Sequence, residues 1–134
     1  MVNKALFTSL NQKWRTPSAI YAQLDHEFLF DFDPCPEDPD FDGLNCEWGR
    51  CNFINPPYNR IKDWVAKTHQ EWEKGKTCVL LIPSRADTIW WHSYIMRATE
   101  IRFLKGRLHF DDARTKKAPF PSAVVIFKAK VVAR

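Results

Sequence analysis

Long apolar stretches are missing from this sequence. No run approaches the roughly 20 residues that cross a bilayer, and the opening MVNKALFTSLNQKW lacks the long apolar centre of a signal peptide. A soluble, cytoplasmic chain with no membrane partner is the expectation. Metal-ligand spacing is missing as well. Cys35, Cys46, Cys51 and Cys78 include no C-x-x-C pair, and no histidine lies close by to complete a zinc set. Without a secretion signal the even count does not call for disulfides, so the four read as free thiols. His26, His69, His92 and His109 show no ligand spacing either. Repeats and low-complexity tracts are absent. A large excess of one sign of charge is missing too: 20 Lys and Arg against 16 Asp and Glu leave a formal net charge of +4. That is weaker than many dedicated DNA-binding domains carry, and compatible with a polyanionic partner without requiring one.

The 134 residues suffice for a single domain, 1–134, with a real core. A composition 45% hydrophobic and 27% charged is that of a globular chain. The charge is segregated along it. Residues 25–47 are acidic (Asp25, Glu27, Asp31, Asp33, Glu37, Asp38, Asp40, Asp42, Glu47), and 97–117 are basic (Arg97, Arg102, Lys105, Arg107, Arg114, Lys116, Lys117). An acidic pocket and a basic face suit a cationic cofactor beside an anionic polymer; an ordinary charge-balanced surface carries the same residues.

PSAIYAQLDHE, 17–27, reads as a helix with Thr16 as N-cap, Pro17 at the first position and an apolar stripe of Ile20, Tyr21, Leu24 and Phe28. FLFDFD, 28–33, alternates apolar and acidic residues as a strand does, and a Pro- and Asp-rich loop follows. CNFIN is the next strand. Residues 60–74 have the stripe of an amphipathic helix (Ile61, Trp64, Val65, Thr68, Trp72), stopped by Gly75. TCVLLIP, 77–83, is a central strand buried on both faces, and DTIWWHSYIMRA a second helix. EIRFL, RLHF and SAVVIFKAKVV read as three more strands, with KKAPFPS linking the last two. This alternation is an α/β order, implying parallel strands joined by right-handed crossovers.

In open α/β sheets ligands sit beyond the carboxyl ends of the strands. There FLFDFD runs into Asp33-Pro34, CNFI into Asn55-Pro56-Pro57-Tyr58, and VLLI into Pro83-Ser84-Arg85. The second is the most specific. Neither proline can extend a ladder, because neither has an N–H. The Asn55 side-chain oxygen and the Pro56 carbonyl are two acceptors, and the proline ring fixes where its carbonyl points. Together they suit a planar substrate with an exocyclic amine: both amine hydrogens are held, nitrogen is drawn from the conjugated plane, and its lone pair is freed to attack an electrophile. Tyr58 offers a ring to stack on the base. A strand-terminating turn with a core tyrosine is the bland alternative.

The tetrapeptide resembles the Asp/Asn/Ser-Pro-Pro-Tyr/Phe/Trp motif of S-adenosylmethionine-dependent amino methyltransferases. KWRTP looks like the Thr-Pro element before the first cofactor strand in one circular order of that superfamily, and FDFDPC like its first strand ending in Asp-Pro or Glu-Pro. LLIPSRADTIWWH, RFLKGRLHF and APFPSAVVIF are similar to the phage and prophage DNA N6-adenine methyltransferase family. The resemblance, covering about residues 14–128, implies a reduced Rossmann-like methyltransferase fold, with a mixed, mostly parallel sheet flanked by helices. It implies a site-specific DNA-methyltransferase (adenine-specific) with DNA as partner and S-adenosyl-L-methionine as cofactor. Asn55, Pro56, Pro57 and Tyr58 would hold and stack the adenine. Thr16 and Pro17 would lie near the methionine end of the cofactor, Asp33 would face its ammonium with Pro34 packed close by, Asn55 would border the same pocket, and Asp42 would sit near the cofactor's adenine.

The family's Gly-rich turn after the first strand is replaced by Asp-Pro-Cys-Pro-Glu-Asp, and the chain between Asp33 and Asn55 is too short for two strand–helix units. No acid matches the one that clasps the ribose, and there is no room for a separate target-recognition domain. Completion of the cofactor site by DNA or by a partner chain, a homo-oligomer included, stays open. So do two other activities: methylation of RNA bases or protein glutamine, and a degenerate module that grips DNA without turnover. A duplex adenine must be flipped, or the substrate single-stranded, to reach such a pocket. Arg85, Arg107, Arg114, Lys116 and Lys117 are candidates for phosphate contacts. Trp90 is a candidate for stacking on bases, one of the Trp90–Trp91 pair being core.

Overall fold

The structure, a computed structural model, describes residues 15–109 and 119–130. Helix α1 (Ser18–Phe28) is followed by irregular chain to β1 (Cys51–Ile54), then α2 (Ile61–Glu73), β2 (Thr77–Pro83), the short α3 (Ile89–Ser93), β3 (Glu100–Phe103) and β4 (Ser122–Phe127). The strands form one open sheet in the order β1-β2-β4-β3. β1 and β2 pair in parallel, Ile54 opposite Leu80. β4 is antiparallel to both its neighbours, with Leu80 opposite Val125 and Ile101 opposite Val125 on its other side.

Two of these three pairings are antiparallel, so the mostly parallel sheet expected from the sequence is corrected. β1, β2 and β3 do point the same way; β4 is wedged between β2 and β3 and turns both of its ladders antiparallel. The continuous run SAVVIF, buried along its whole length, says that both faces are covered and not which way the strand runs.

Both faces of the central strands are buried, and successive side chains alternate between them as the strand period requires. Ile54, Leu80, Ile82, Val125 and Phe127 pack on one face with Trp64 and Val65 of α2 and Trp91 of α3. Phe53, Val79, Leu81, Val124 and Ile126 form the other core with Leu24, Ile20 and Tyr21 of α1. Helices therefore cover both faces. Val79, Leu80, Leu81 and Ile82 are completely buried, each side chain contributing about 2 kcal/mol, and β2 is the spine of the molecule.

The segment 28–33 is not a strand. α1 runs on to Phe28 and is capped by Leu29 in the left-handed region, φ 58°. Beyond it only Phe32 bridges β1, in parallel, opposite Asn52. Side chains take over ladder donors here: Asp25 accepts from Phe30 N at 3.0 Å and Asp31 from Cys51 N at 3.1 Å. Thr16 is not the N-cap of α1 either; Pro17 holds that position without a side-chain cap. The helix expected from DTIWWHSYIMRA is a five-residue turn and a separate 3-10 turn at Ile95–Arg97. Residues 107–109 form no strand, and Phe110 lies outside the described residues. α2 and β2 match their expected ranges within a residue or so, and Gly75 closes α2 with φ 98°.

The loop between the Phe32 bridge and β1 is held from below by α2. Gly43 lies so close to Pro34 that a Cβ there would stand 1.8 Å from the Pro34 carbonyl oxygen. Trp48 Nε1 donates to Gly43 O at 2.7 Å, and Trp48 N to the wholly buried Glu71 carboxylate at 3.3 Å. Lys76 donates to Trp48 O at 3.0 Å and also binds Glu47. Burial alone would raise the Glu71 carboxyl; hydrogen bonds from Lys74, Lys76, Trp48 N and Lys67 outweigh it and hold it at about 2.

Candidate active site

Strand direction decides where the site lies. β1, β2 and β3 deliver their carboxyl ends to one edge of the sheet, and β4 starts there. Ser84 N donates to Pro121 O and Leu104 N to Ser122 O, both at 3.0 Å, closing that edge. The segments 55–58, 83–85, 104–109 and 119–121 therefore meet at one end of the sheet.

Asn55 follows the last residue of β1 and is 2% exposed; Pro56 and Pro57 are buried, and Tyr58 is half-buried. Pro57, at φ −65° and ψ 134°, turns the chain into a 3-10 turn at Tyr58–Arg60 that leads into α2. The Asn55 amide nitrogen donates to Thr16 Oγ1 at 3.0 Å. The Cys35 thiol donates to the Asn55 main-chain oxygen at 3.3 Å. Asp33 closes an Asx turn by accepting from Cys35 N at 3.0 Å. Three segments far apart in sequence thus meet on Asn55.

They enclose a pocket of about 300 Å³ whose lining includes Thr16, Asp33, Cys35, Glu37, Phe53 and Asn55. Arg15 and Glu37 also line it and pair at 2.9 Å. Tyr21 stands at its wall, its phenol held above the usual range by burial and then by the charges of Asp25 and Asp33. At neutral pH it is a neutral hydrogen-bonding group. On the same face of the sheet as Tyr21 and Phe53, Tyr58 meets Phe120 edge-on, ring centroids 5.0 Å apart and planes at 82°.

The structure brings Thr16, Asp33 and Asn55 to one pocket, with Pro17 and Pro34 buried beside their neighbours. It does not bring Asp42 there. Asp42 is exposed, caps the 3-10 turn Gly43–Asn45 by accepting from Leu44 N at 3.0 Å, and borders a separate open groove over α2. Arg85 and Arg107 are exposed on loops at the sheet edge, as is Lys105, and none of the three forms an ion pair among the described residues. Arg102, by contrast, is bound to Glu27 at 2.7 Å and Glu100 at 2.7 Å, which ties β3 to α1. Trp91 is buried, and Trp90 is half-buried against the same core. Arg114, Lys116 and Lys117 lie outside the described residues.

Sequence reasoning missed Arg15, Tyr21, Cys35, Glu37 and Phe120. For Cys35 a signal existed: it stands two residues after Asp33, the spacing of an Asx turn. Tyr21 carried only the signal of a core stripe, and its polar tip was the hint. All four cysteines are free, and burial pushes the Cys78 thiol up to about 12. Among the described residues no three His, Cys, Asp or Glu side chains are grouped to hold a metal ion, and no helix is long and apolar enough to cross a membrane.

A family model described as DNA N-6-adenine-methyltransferase (Dam) matches residues 4–130. No curated protein matches the chain.

Proposed function

Since the chain belongs to the DNA N-6-adenine-methyltransferase family, we propose that it transfers a methyl group from S-adenosylmethionine to the exocyclic N6 amine of adenine in cytoplasmic DNA. The cofactor, when bound, supplies an electrophilic methyl on a sulfonium. The donor set of the pocket suits its amino-acid end. Asp33 and Glu37 offer carboxylates for an ammonium, Arg15 a cation for a carboxylate, and Tyr21 and Thr16 neutral hydroxyls. Helices on both faces and a crevice at the carboxyl ends of β1 and β2 support reading the sheet as a reduced Rossmann-like methyltransferase core.

The chemistry falls to the residues after β1. The Asn55 side-chain oxygen and the Pro56 carbonyl accept the two hydrogens of the target amine. These bonds strengthen as the nitrogen gains positive charge, which is where stabilisation accelerates transfer. No separate base is needed to free the lone pair: the N–C bond forms as the S–C bond breaks, S-adenosylhomocysteine leaves as a neutral thioether, and the methylated nitrogen then releases one hydrogen as a proton to water. Tyr58 stacks on the base, its angle set by Phe120. The adenine arrives flipped out of a duplex or in a single strand. Arg85 and Arg107, with Lys116 and Lys117, hold phosphates, and Trp90 stacks on a base.

The observation that carries this reading is the shared pocket. Asn55 is bonded to Thr16 at 3.0 Å and stands in one wall with Asp33, three residues before Tyr58. The test is to incubate purified protein with methyl-labelled S-adenosylmethionine and unmethylated DNA, with Asn55→Ala beside it. Label should appear as N6-methyladenine and fall about 100-fold or more in the variant. Equal label in both, or none in either, would sink the reading. Label in RNA or in protein glutamine instead would reassign the amine acceptor.

A further inference from the structure

We infer that Ile89 and Phe103 form an apolar wedge for double-stranded DNA, filling the gap in the base stack that the target adenine leaves when it swings out. This rests on the adenine-methylation reading above and names its substrate class, a duplex. Flipping costs a base pair and two stacking contacts. An apolar side chain lodged between base steps recovers part of that cost. A single strand has no such gap to fill.

Both residues stand at the end of the sheet where the strands deliver their carboxyl ends. Phe103 is the last residue of β3 and 64% exposed. Ile89 opens α3, after the loop that leaves β2, and is 83% exposed. A lone exposed apolar side chain is ordinary, but these two belong to a group. The Trp91 ring lies 6.1 Å from that of Phe103 and 6.0 Å from that of the half-buried Trp90, which follows Ile89 in the chain. Cations flank the group: Arg85 after β2, and Lys105 and Arg107 after β3, all exposed and outside any ion pair among the described residues. Only β4 separates β2 from β3, so their ends are about 10 Å apart. Apolar side chains between cations complement a duplex, whose base stack runs between two lines of phosphates.

A wedge must arrive already shaped. Thr88 Oγ1 donates to Arg85 O at 2.7 Å and accepts from Trp91 N at 3.3 Å, and the His92 ring meets Ala86 O at 2.8 Å. Ile89 therefore projects from a closed knuckle, and its β-branched side chain is stiff at χ1. Phe103 is fixed in the ladder opposite Ala123. Phe103 shares its sheet face with Ile101, which packs into the core of Trp91, whereas the pocket of Asn55 is walled by Phe53 and by Tyr21 of α1 on the other face. A swung-out base comes to rest beside the gap it leaves, so the filler belongs next to the pocket and not inside it.

The experiment measures single-turnover methylation by the full chain at saturating S-adenosylmethionine. The probe is sheared unmethylated DNA, supplied either as duplex or heat-denatured and rapidly cooled. Ile89→Ala combined with Phe103→Ala should slow transfer to duplex by about 10- to 100-fold and transfer to denatured DNA by no more than about threefold. Ile89→Leu combined with Phe103→Leu keeps the apolar bulk and should stay within about threefold of wild type on both. Equal losses on the two forms of DNA, or no loss on duplex, overturn the inference. If the double alanine variant does not fold, Ile89→Ala alone is read by the same comparison. A wild type that sediments as a dimer, and becomes a monomer in the double leucine or alanine variant, makes the patch an interface between copies and overturns the inference too. A wild type that methylates denatured DNA but not duplex overturns this inference alone, whereas one that methylates neither overturns the underlying reading.

Discussion

Lys76 reaches back from the turn after α2 to donate to Glu71 at 2.6 Å, in a position where the Glu71 side chain is wholly buried. Lys67 at 3.3 Å and Lys74 at 2.8 Å share the same carboxylate. A carboxylate so surrounded has its folded pKa depressed, from 4.5 to about 2. Its stabilisation is complete above the unfolded value and is lost as pH falls from about 4.5 through about 2. Glu71→Gln should therefore cost roughly 3–5 kcal/mol at pH 7, and the difference from wild type should shrink toward pH 2. Denaturant unfolding at pH 7, 5 and 3 reads this; a gap that stays constant with pH contradicts it.

Gly43 gives a second prediction. A Cβ there would meet the Pro34 carbonyl oxygen at 1.8 Å and the Trp64 ring at 2.7 Å, so backbone must shift. Gly43→Ala should destabilise by roughly 1–3 kcal/mol. It should also weaken binding of the cofactor product, since Pro34 sits between Asp33 and Cys35 of the pocket. Gly75→Ala is the contrast. Its φ of 98° strains alanine, yet nothing lies within 4 Å, so a loss of about 1 kcal/mol with unchanged cofactor affinity is expected. Calorimetric titration on both variants separates the outcomes; equal affinity in Gly43→Ala and wild type would remove the link between this loop and the pocket.

The basic residues divide by what they already hold. Arg85 and Arg107 are exposed and outside any ion pair among the described residues, whereas Arg102 is committed to Glu27 and Glu100. Arg85→Ala or Arg107→Ala should each reduce the slope of log affinity against log salt by about 1, with no loss of stability. Arg102→Ala should lower the melting temperature and leave the slope alone. Fluorescence anisotropy over a salt series checks this, and an unchanged slope in both loop variants would move the DNA face elsewhere.

The strands β1 and β2, the helix between them and the proline stop after Asn55 were legible because each is a local signal: a short apolar run, a stripe, two residues without N–H groups. Residues 28–33 were not. Their alternation is a strand's, but the Asp25 and Asp31 side chains take backbone donors and leave a single bridge at Phe32. Thr16 before Pro17 reads locally as a cap, yet its oxygen is used by Asn55, 39 residues away. The direction of β4 was equally hidden, because inward and outward faces alternate identically whichever way a strand runs. Local chemistry was readable, and partnerships across the sheet were not.

The opposed direction of β4 also sets how the molecule can be tethered. It begins beside Pro83 at the crevice edge and finishes beside Cys78, at the far side of the sheet. A fusion partner joined downstream of this strand starts its path behind the enzyme, leaving the crevice clear for a long polymer. Thr16, by contrast, touches Asn55 itself, at the crevice end of the sheet. An immobilised or domain-fused version should be anchored through its downstream end.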